Sequence, residues 1–179
     1  MFSLRFDEQE IKHWASQYSY PKEDRIVNVI APRMKSASYL TRPDFIELCH
    51  WKTPRSKPQV ESNSEEFVHA VTQTALSTPG EQLRIEVLTL LRGVGWPTAS
   101  VILHFGHIDP YPILDVRALW SLGVTYLASA YDFEFWQAYT KACREIATES
   151  GVDMRTLDRA LWQYSKEHQP SLQLANSEG

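Results

Sequence analysis

Residues 90–123 read LLRGVGWPTASVILHFGHIDPYPILDVRALWSLG. Gly93 and Gly95 bracket Val94, and helical spacing resumes at Trp96 or Pro97 and runs through Ala99, Ile102 and Leu103. Glycine permits positive φ and close backbone approach, so Gly-Val-Gly predicts a tight turn between two helices. Pro97 suits the start of the second helix, where the N–H it lacks would have no intrahelical partner. The segment GHIDPYPI, with Gly106, Pro110 and Pro112, predicts a loop. Asp115 then stands where it can cap the helix VRALWSL, which stops at Gly123. What the carboxylate does besides capping is the question this stretch poses.

Working outward, apolar spacing is helical almost everywhere. Ile11, Trp14, Ala15 and Tyr18 form one stripe, and Asp7 with Glu10 predicts a capping box before it. A second helix is expected over 24–35 with a kink at Pro32. A third starts at Thr41, with Pro43 and Asp44 in its first turn, and ends at Trp51 and Lys52. Residues 53–62 read as a polar loop. A fourth helix carries Phe67, Val71 and Ala75, and a fifth opens on Thr78 with Glu81 and runs through Leu83, Val87, Leu90 and Leu91. Phe135 to Ile146 and Leu157 to Tyr164 mark two more. No strand or internal repeat stands out. The expected class is all-α, with residues 1–168 as one helical domain and 169–179 as a loose polar tail.

Length and composition set bounds. The 179 residues, 43% hydrophobic and 22% charged, suit one soluble globule. The formal net charge of −4 means that any nucleic-acid binding must come from a local patch and backbone donors. Lys52, Arg55 and Lys57 make one local cationic cluster, for which charge alone favours a solvated loop. Cys49 and Cys143 are far apart and no CxxC exists, so neither an iron–sulfur cluster nor a structural zinc is expected. No metal-ligand spacing joins His104 or His107 to a carboxylate. With no signal peptide and no apolar run of about 20 residues, a cytoplasmic protein is expected.

The turn has chemistry of its own. N–H groups at Gly-Val-Gly and in the first turn of the following helix lack internal partners, and the helix dipole favours an anion there. A DNA phosphate fits such donors without base specificity. Taken alone, Gly93 is also an ordinary helix-ending glycine.

The order LRGVGWPTASVIL, Gly/Pro loop, PILDVRAL resembles the helix-hairpin-helix DNA glycosylase superfamily, over residues 83–123. The resemblance implies two helical lobes flanking a cleft. It implies a phosphate-binding turn at Gly93, Val94 and Gly95, with Trp96 beside it and the hydroxyl and N–H of Thr98 helping. It implies Asp115 as the catalytic residue, double-stranded DNA with a damaged or modified base as partner, and a monovalent cation held by carbonyls at the turn. Bifunctional members carry a Lys where this chain has Pro97, so Schiff-base chemistry at that position is excluded and a monofunctional enzyme is expected. Arg92 replaces a Pro common in the family and is a candidate backbone contact.

Cleaving an N-glycosidic bond builds positive charge on the sugar, which a preorganised carboxylate stabilises. It can also orient the attacking water. Capping alone is the plain alternative, and the two are compatible because a helix N-terminus keeps the carboxylate ionised. Trp51 and Lys52 are candidates for the pocket of a flipped base, against the plain readings of a core Trp and a solvated Lys. A Schiff base at Lys52 stays open. Arg117 is a candidate phosphate contact or a local brace. Repair and attack on modified phage DNA fit equally. Two other readings stand beside the monomeric glycosylase: a non-catalytic DNA-binding or adaptor protein, and a helical protein-interaction module.

Overall fold

A computed structural model of the chain describes residues 2–124 and 131–170, and every regular element among them is helical. The expected all-α class is therefore observed. The α-helices are α1 (Ile11–Ser16), α2 (Ala31–Ala37), α3 (Arg42–Lys52), α4 (Lys57–Glu61), α5 (Glu65–Ser77), α6 (Glu81–Glu86), α7 (Trp96–Gly106), α8 (Val116–Ser121), α9 (Phe133–Glu149) and α10 (Met154–His168). None is long and apolar enough to cross a membrane. Of the tail expected from residue 169, residues 171–179 lie outside the described part.

Several starts follow sequence rules. Thr41 accepts from the Asp44 N–H at 3.4 Å and Ser64 from the Phe67 N–H at 3.2 Å. Asp132 and Asp153 each accept, at 2.8 Å, from the N–H three residues on. Other boundaries differ from the sequence reading. Residues 53–62 are not a loop: a 3-10 turn, Pro54–Ser56, leads into α4, with Pro58 tolerated in the first turn. The second helix starts at Asp24 as expected, but passes through a π-turn, Ile26–Ile30, before continuing as α2 from Ala31. Thr78 ends α5 rather than opening α6, whose cap is Gly80. Asp7 caps a 3-10 turn through Gln9, not a box with Glu10.

The fifth helix is shorter than its apolar spacing predicts, because α6 tightens into a 3-10 turn, Val87–Leu90. That tightening rotates the stripe. Ile85, Leu88 and Leu91 are buried, while Leu83 and Leu90 are 51% and 62% exposed. In α5 the buried set is likewise Val68, Val71, Thr72 and Ala75, with Phe67 outside.

Two apolar clusters organise the chain. One gathers residues of α2, α3, α5 and α7 around Phe45, Leu48, Val71 and Ile102. The other packs Ile11, Leu119, Tyr139, Cys143 and Leu161 from α1, α8, α9 and α10. Trp96 packs against both. Both cysteines are free and buried. Met34 of α2 lies so close to Gly106 of α7 that a Cβ there would stand 2.6 Å from its sulfur and the Met34 side chain would have to shift.

Candidate active site

The segment 109–115 carries Asp115 and is tied down at each step. Tyr111 stacks on Trp136 at 5.5 Å, and its hydroxyl meets Glu81 at 2.8 Å and Arg84 at 2.7 Å. Its carbonyl bonds the Nδ1 of His104 at 2.7 Å. Burial pushes that ring's pKa down to about 3, so it stays neutral. Tyr139 donates to the Ile113 carbonyl and the Leu114 N–H donates to Ser100, both at 2.8 Å. A proline-rich loop with few ladder bonds of its own thus becomes a fixed mount.

At its end Asp115 caps α8, accepting from the Arg117 N–H at 2.8 Å. Its other oxygen accepts from the Nζ of Lys52, the last residue of α3. The two side chains are 20% and 12% exposed. Burial pushes the Asp115 carboxyl up, but the Lys52 charge and hydrogen bond and the Arg117 amide together outweigh it, and the carboxyl lies below its ordinary range. The α8 dipole acts the same way.

The pair sits in a pocket of about 390 Å³, open mouth included, lined by Tyr18, Tyr20, Trp51, Trp162 and Asp158 among others. Tyr20 is edge-on to both Trp51 at 5.1 Å and Trp162 at 5.3 Å, and its hydroxyl donates to the Trp51 carbonyl at 2.8 Å. Trp51 therefore joins the pocket wall rather than only the core. A neighbouring hollow of about 750 Å³ lies across the same Tyr20 and Trp51.

Asp158 is, with Tyr20 and Trp162, a pocket residue that sequence spacing missed. It lies on the buried face of α10, where an Asp among Leu157, Ala160 and Leu161 interrupts an apolar stripe. That interruption was the available signal. Its carboxylate meets Arg155 at 2.5 Å and is 8% exposed. Burial pushes it up to about 6, although Arg155 and Lys52 pull it back. Arg155 also binds Glu23 and, at 3.2 Å, the Tyr18 hydroxyl, while Arg159 holds Glu23 as well. This network fastens the segment carrying Tyr18 and Tyr20 onto α10.

Asp158 gives a pH prediction. Its folded pKa of about 6 exceeds the unfolded value of about 3.9, so the folded state binds more protons between them. Its contribution to stability therefore falls as pH rises through that window and is level above it. Melting temperature from pH 4.5 to 7.5 checks this: Asp158→Asn should remove that fall, and an unchanged profile in the variant would refute it. Asp115 has the opposite sign, since its contribution is lost only as pH drops below the ordinary carboxylate range.

The glycine turn lies between the 3-10 end of α6 and α7. Gly93 has φ 81°, and a Cβ there would meet Val60 Cγ2 at 2.8 Å and the Val60 nitrogen at 3.0 Å. Asn63 locks the preceding residue, accepting from the Arg92 N–H at 2.9 Å and donating to the Arg92 carbonyl at 3.0 Å. This brace was not legible in the sequence, because Asn63 lies far from the turn along the chain. Gly93→Ala combines positive-φ strain with a backbone clash and should cost about 2 kcal/mol. For a chain of this size that lowers the melting temperature by roughly 4–8 °C, measurable by calorimetry.

Not every expected phosphate donor points outward. The Val94 N–H donates to the Leu91 carbonyl at 3.1 Å, and the Val94 side chain is buried. The Thr98 side chain is 3% exposed, its hydroxyl 3.3 Å from that of Thr53. Those two expectations are corrected, because the tight turn consumes one donor and packing against the end of α3 turns the other inward. The backbone at Gly95, Trp96 and Thr98 keeps the uncapped start of α7, which has no side-chain cap. Arg92 is exposed beside it. Arg55 is also exposed and is not part of the pocket lining. Arg117 lies over the Trp162 ring at 5.6 Å. Among the described residues no three His, Cys, Asp or Glu side chains gather as a metal-ligand set.

No protein-family model, curated protein or solved structure matches this chain. The functional reading therefore rests on the site itself.

Proposed function

We propose that this protein is a helix-hairpin-helix DNA glycosylase that draws a damaged or modified base out of duplex DNA and hydrolyses its glycosidic bond with Asp115. The observation that carries the reading is Asp115 itself: an ionised, helix-capping carboxylate in an aromatic-walled pocket, mounted just beyond a glycine turn. The start of α7, with Gly95, Trp96 and the Thr98 N–H, takes a backbone phosphate, and Arg92 adds a cation. The strand runs past Trp96, which packs against both apolar clusters. Tyr20, Trp51 and Trp162 offer faces and edges to a flipped base, whose removal from the stack costs a few kcal/mol. The carboxylate then stabilises the cationic sugar and orients water toward C1′.

One observation favours a second reading, a non-catalytic DNA-binding protein. Lys52 neutralises Asp115 and so weakens its attraction for a developing cation. The test separates the two. Both readings give DNA binding that weakens as salt rises, but only the glycosylase releases base. Oligonucleotides carrying a panel of damaged and modified bases, and naturally modified phage DNA, are incubated with wild type and Asp115→Asn, and abasic sites are revealed with alkali. Binding without release from any substrate would sink the enzymatic reading.

A further inference from the structure

Trp136, Thr140 and Arg144 stand four residues apart on α9 and form one row along the helix. Each carries a polar atom that is buried and has no hydrogen-bond partner among the described residues: Trp136 Nε1, Thr140 Oγ1 and Arg144 Nη2. Buried polar groups without a partner destabilise a fold, so such atoms are few in a folded chain and each calls for a cause. All three residues line one hollow of about 560 Å³, open mouth included, between α9 and Glu81 at the start of α6. No residue lines both this hollow and the Asp115 pocket. Arg144 is also held in place: its Nε donates to the Pro110 carbonyl at 2.8 Å and its guanidinium lies over the Tyr111 ring at 4.6 Å. Arg84, Arg155 and Arg159 are each paired with a carboxylate, whereas Arg144 has no such pair among the described residues.

The chemistry of the row selects its ligand. An indole N–H and a guanidinium only donate, and a threonine hydroxyl donates as readily as it accepts. The row therefore asks for an acceptor, and the guanidinium fork matches the two oxygens of a carboxylate. The rim of the hollow has both signs of charge. Glu81 and Glu145 are partly exposed there, and the exposed Lys141 stands 3.9 Å from Glu145. Two rim carboxylates repel a multiply charged anion such as phosphate and attract an ammonium group. We propose that this hollow binds a small zwitterion, a free amino acid. Its carboxylate takes the outer end of the Arg144 fork and the Thr140 hydroxyl, which turn onto it from their buried positions, with the Trp136 N–H behind them. Its ammonium group lies toward Glu81 and Glu145. Binding here needs neither DNA nor Asp115, so it is independent of the proposed glycosylase.

The Trp136 indole N–H serves as the reporter. Proton–nitrogen correlation spectra of the full chain are recorded during titration with each free amino acid in turn, the Trp136 signal being identified by its loss in Trp136→Phe. At least one amino acid is expected to shift that signal saturably. Its amide, which lacks the carboxylate, should leave the signal in place, and its N-acetyl form, which lacks the ammonium group, should bind more weakly. Arg144→Gln should weaken binding by about tenfold or more, the scale of one charged hydrogen bond. Thr140→Val should weaken it as well, while melting at or above the wild-type temperature, because an unpartnered hydroxyl is removed. Lys12→Ala, an exposed position of α1, should titrate as wild type does. No saturable shift with any amino acid would overturn the proposal, as would an affinity unchanged in both Arg144→Gln and Thr140→Val. A lower melting temperature in Thr140→Val would show that the hydroxyl serves an internal partner and sink its role as a ligand donor. Inorganic phosphate, or the N-acetyl form, binding more tightly than every free amino acid would overturn the assignment of a zwitterion.

Discussion

Asp115→Asn is expected to lower base release by roughly a thousandfold, the scale seen when one preorganised electrostatic group is taken from a transition state. The substitution is a sharp one because it leaves the scaffold nearly untouched. Asn caps a helix about as well as Asp, so the bond from the Arg117 N–H survives. The amide that replaces the second oxygen cannot accept from Lys52, so that bond goes with the charge. What disappears is the charge that the helix start and Lys52 hold ionised. Single-turnover release from the best substrate of the panel, with melting temperature as a folding control, reads the effect. A variant that folds, binds DNA and releases base at the wild-type rate would reduce Asp115 to a helix cap. Salt-dependent DNA binding should be nearly unchanged, since the phosphate donors proposed above lie at the start of α7.

Arg155→Ala is expected to be the most destabilising single change around the pocket, costing about 3–5 kcal/mol. Arg155 is 17% exposed and joins Glu23, at 12%, to Asp158, at 8%. Removing it strands two buried carboxylates, of which Glu23 keeps Arg159 and Asp158 keeps only weaker help. At roughly 2–4 °C per kcal/mol for a chain of this size, the melting temperature should drop by about 10 °C. Protonating Asp158 relieves part of the penalty, so the loss should be larger at pH 8 than at pH 5. Adding Asp158→Asn to Arg155→Ala should recover stability, because the stranded charge goes with it. A double variant no more stable than the single one would show that Arg155 acts through packing over Tyr18 and Phe105 rather than charge. The pocket should suffer beyond folding as well, because this network fastens Tyr18 and Tyr20 in place.

How much of this was legible depends on the range of the interactions. Helical class, the glycine turn and the Asp115 cap are local events. Period, capping residues and a positive-φ glycine act within a few residues, so Thr41, Asp115 and Gly93 could be read directly. The α4 helix and the rotated stripe of α6 were misread for a physical reason. A proline-flanked polar segment and a 3-10 tightening both depend on what packs against them, and Val60 and Leu88 are buried by partners elsewhere in the chain. The same divide runs through the site. The chemistry-bearing types at 51, 52 and 115 stood out in the sequence, but their partners did not. The bond from Lys52 to Asp115 spans 63 positions and that from Asn63 to Arg92 spans 29.

The sequence by itself determined an all-helical chain, a tight turn at Gly93 to Gly95 and a carboxylate at the start of a helix, because short-range sterics and backbone hydrogen bonding dictate those features. Only the tertiary structure decided that α3 ends with its lysine on that carboxylate, that α10 brings a second carboxylate to the same pocket, and that Thr98 turns inward. Those outcomes follow from burial of two apolar clusters, which sets helix against helix and leaves each polar side chain to find whichever partner the packing brings within reach.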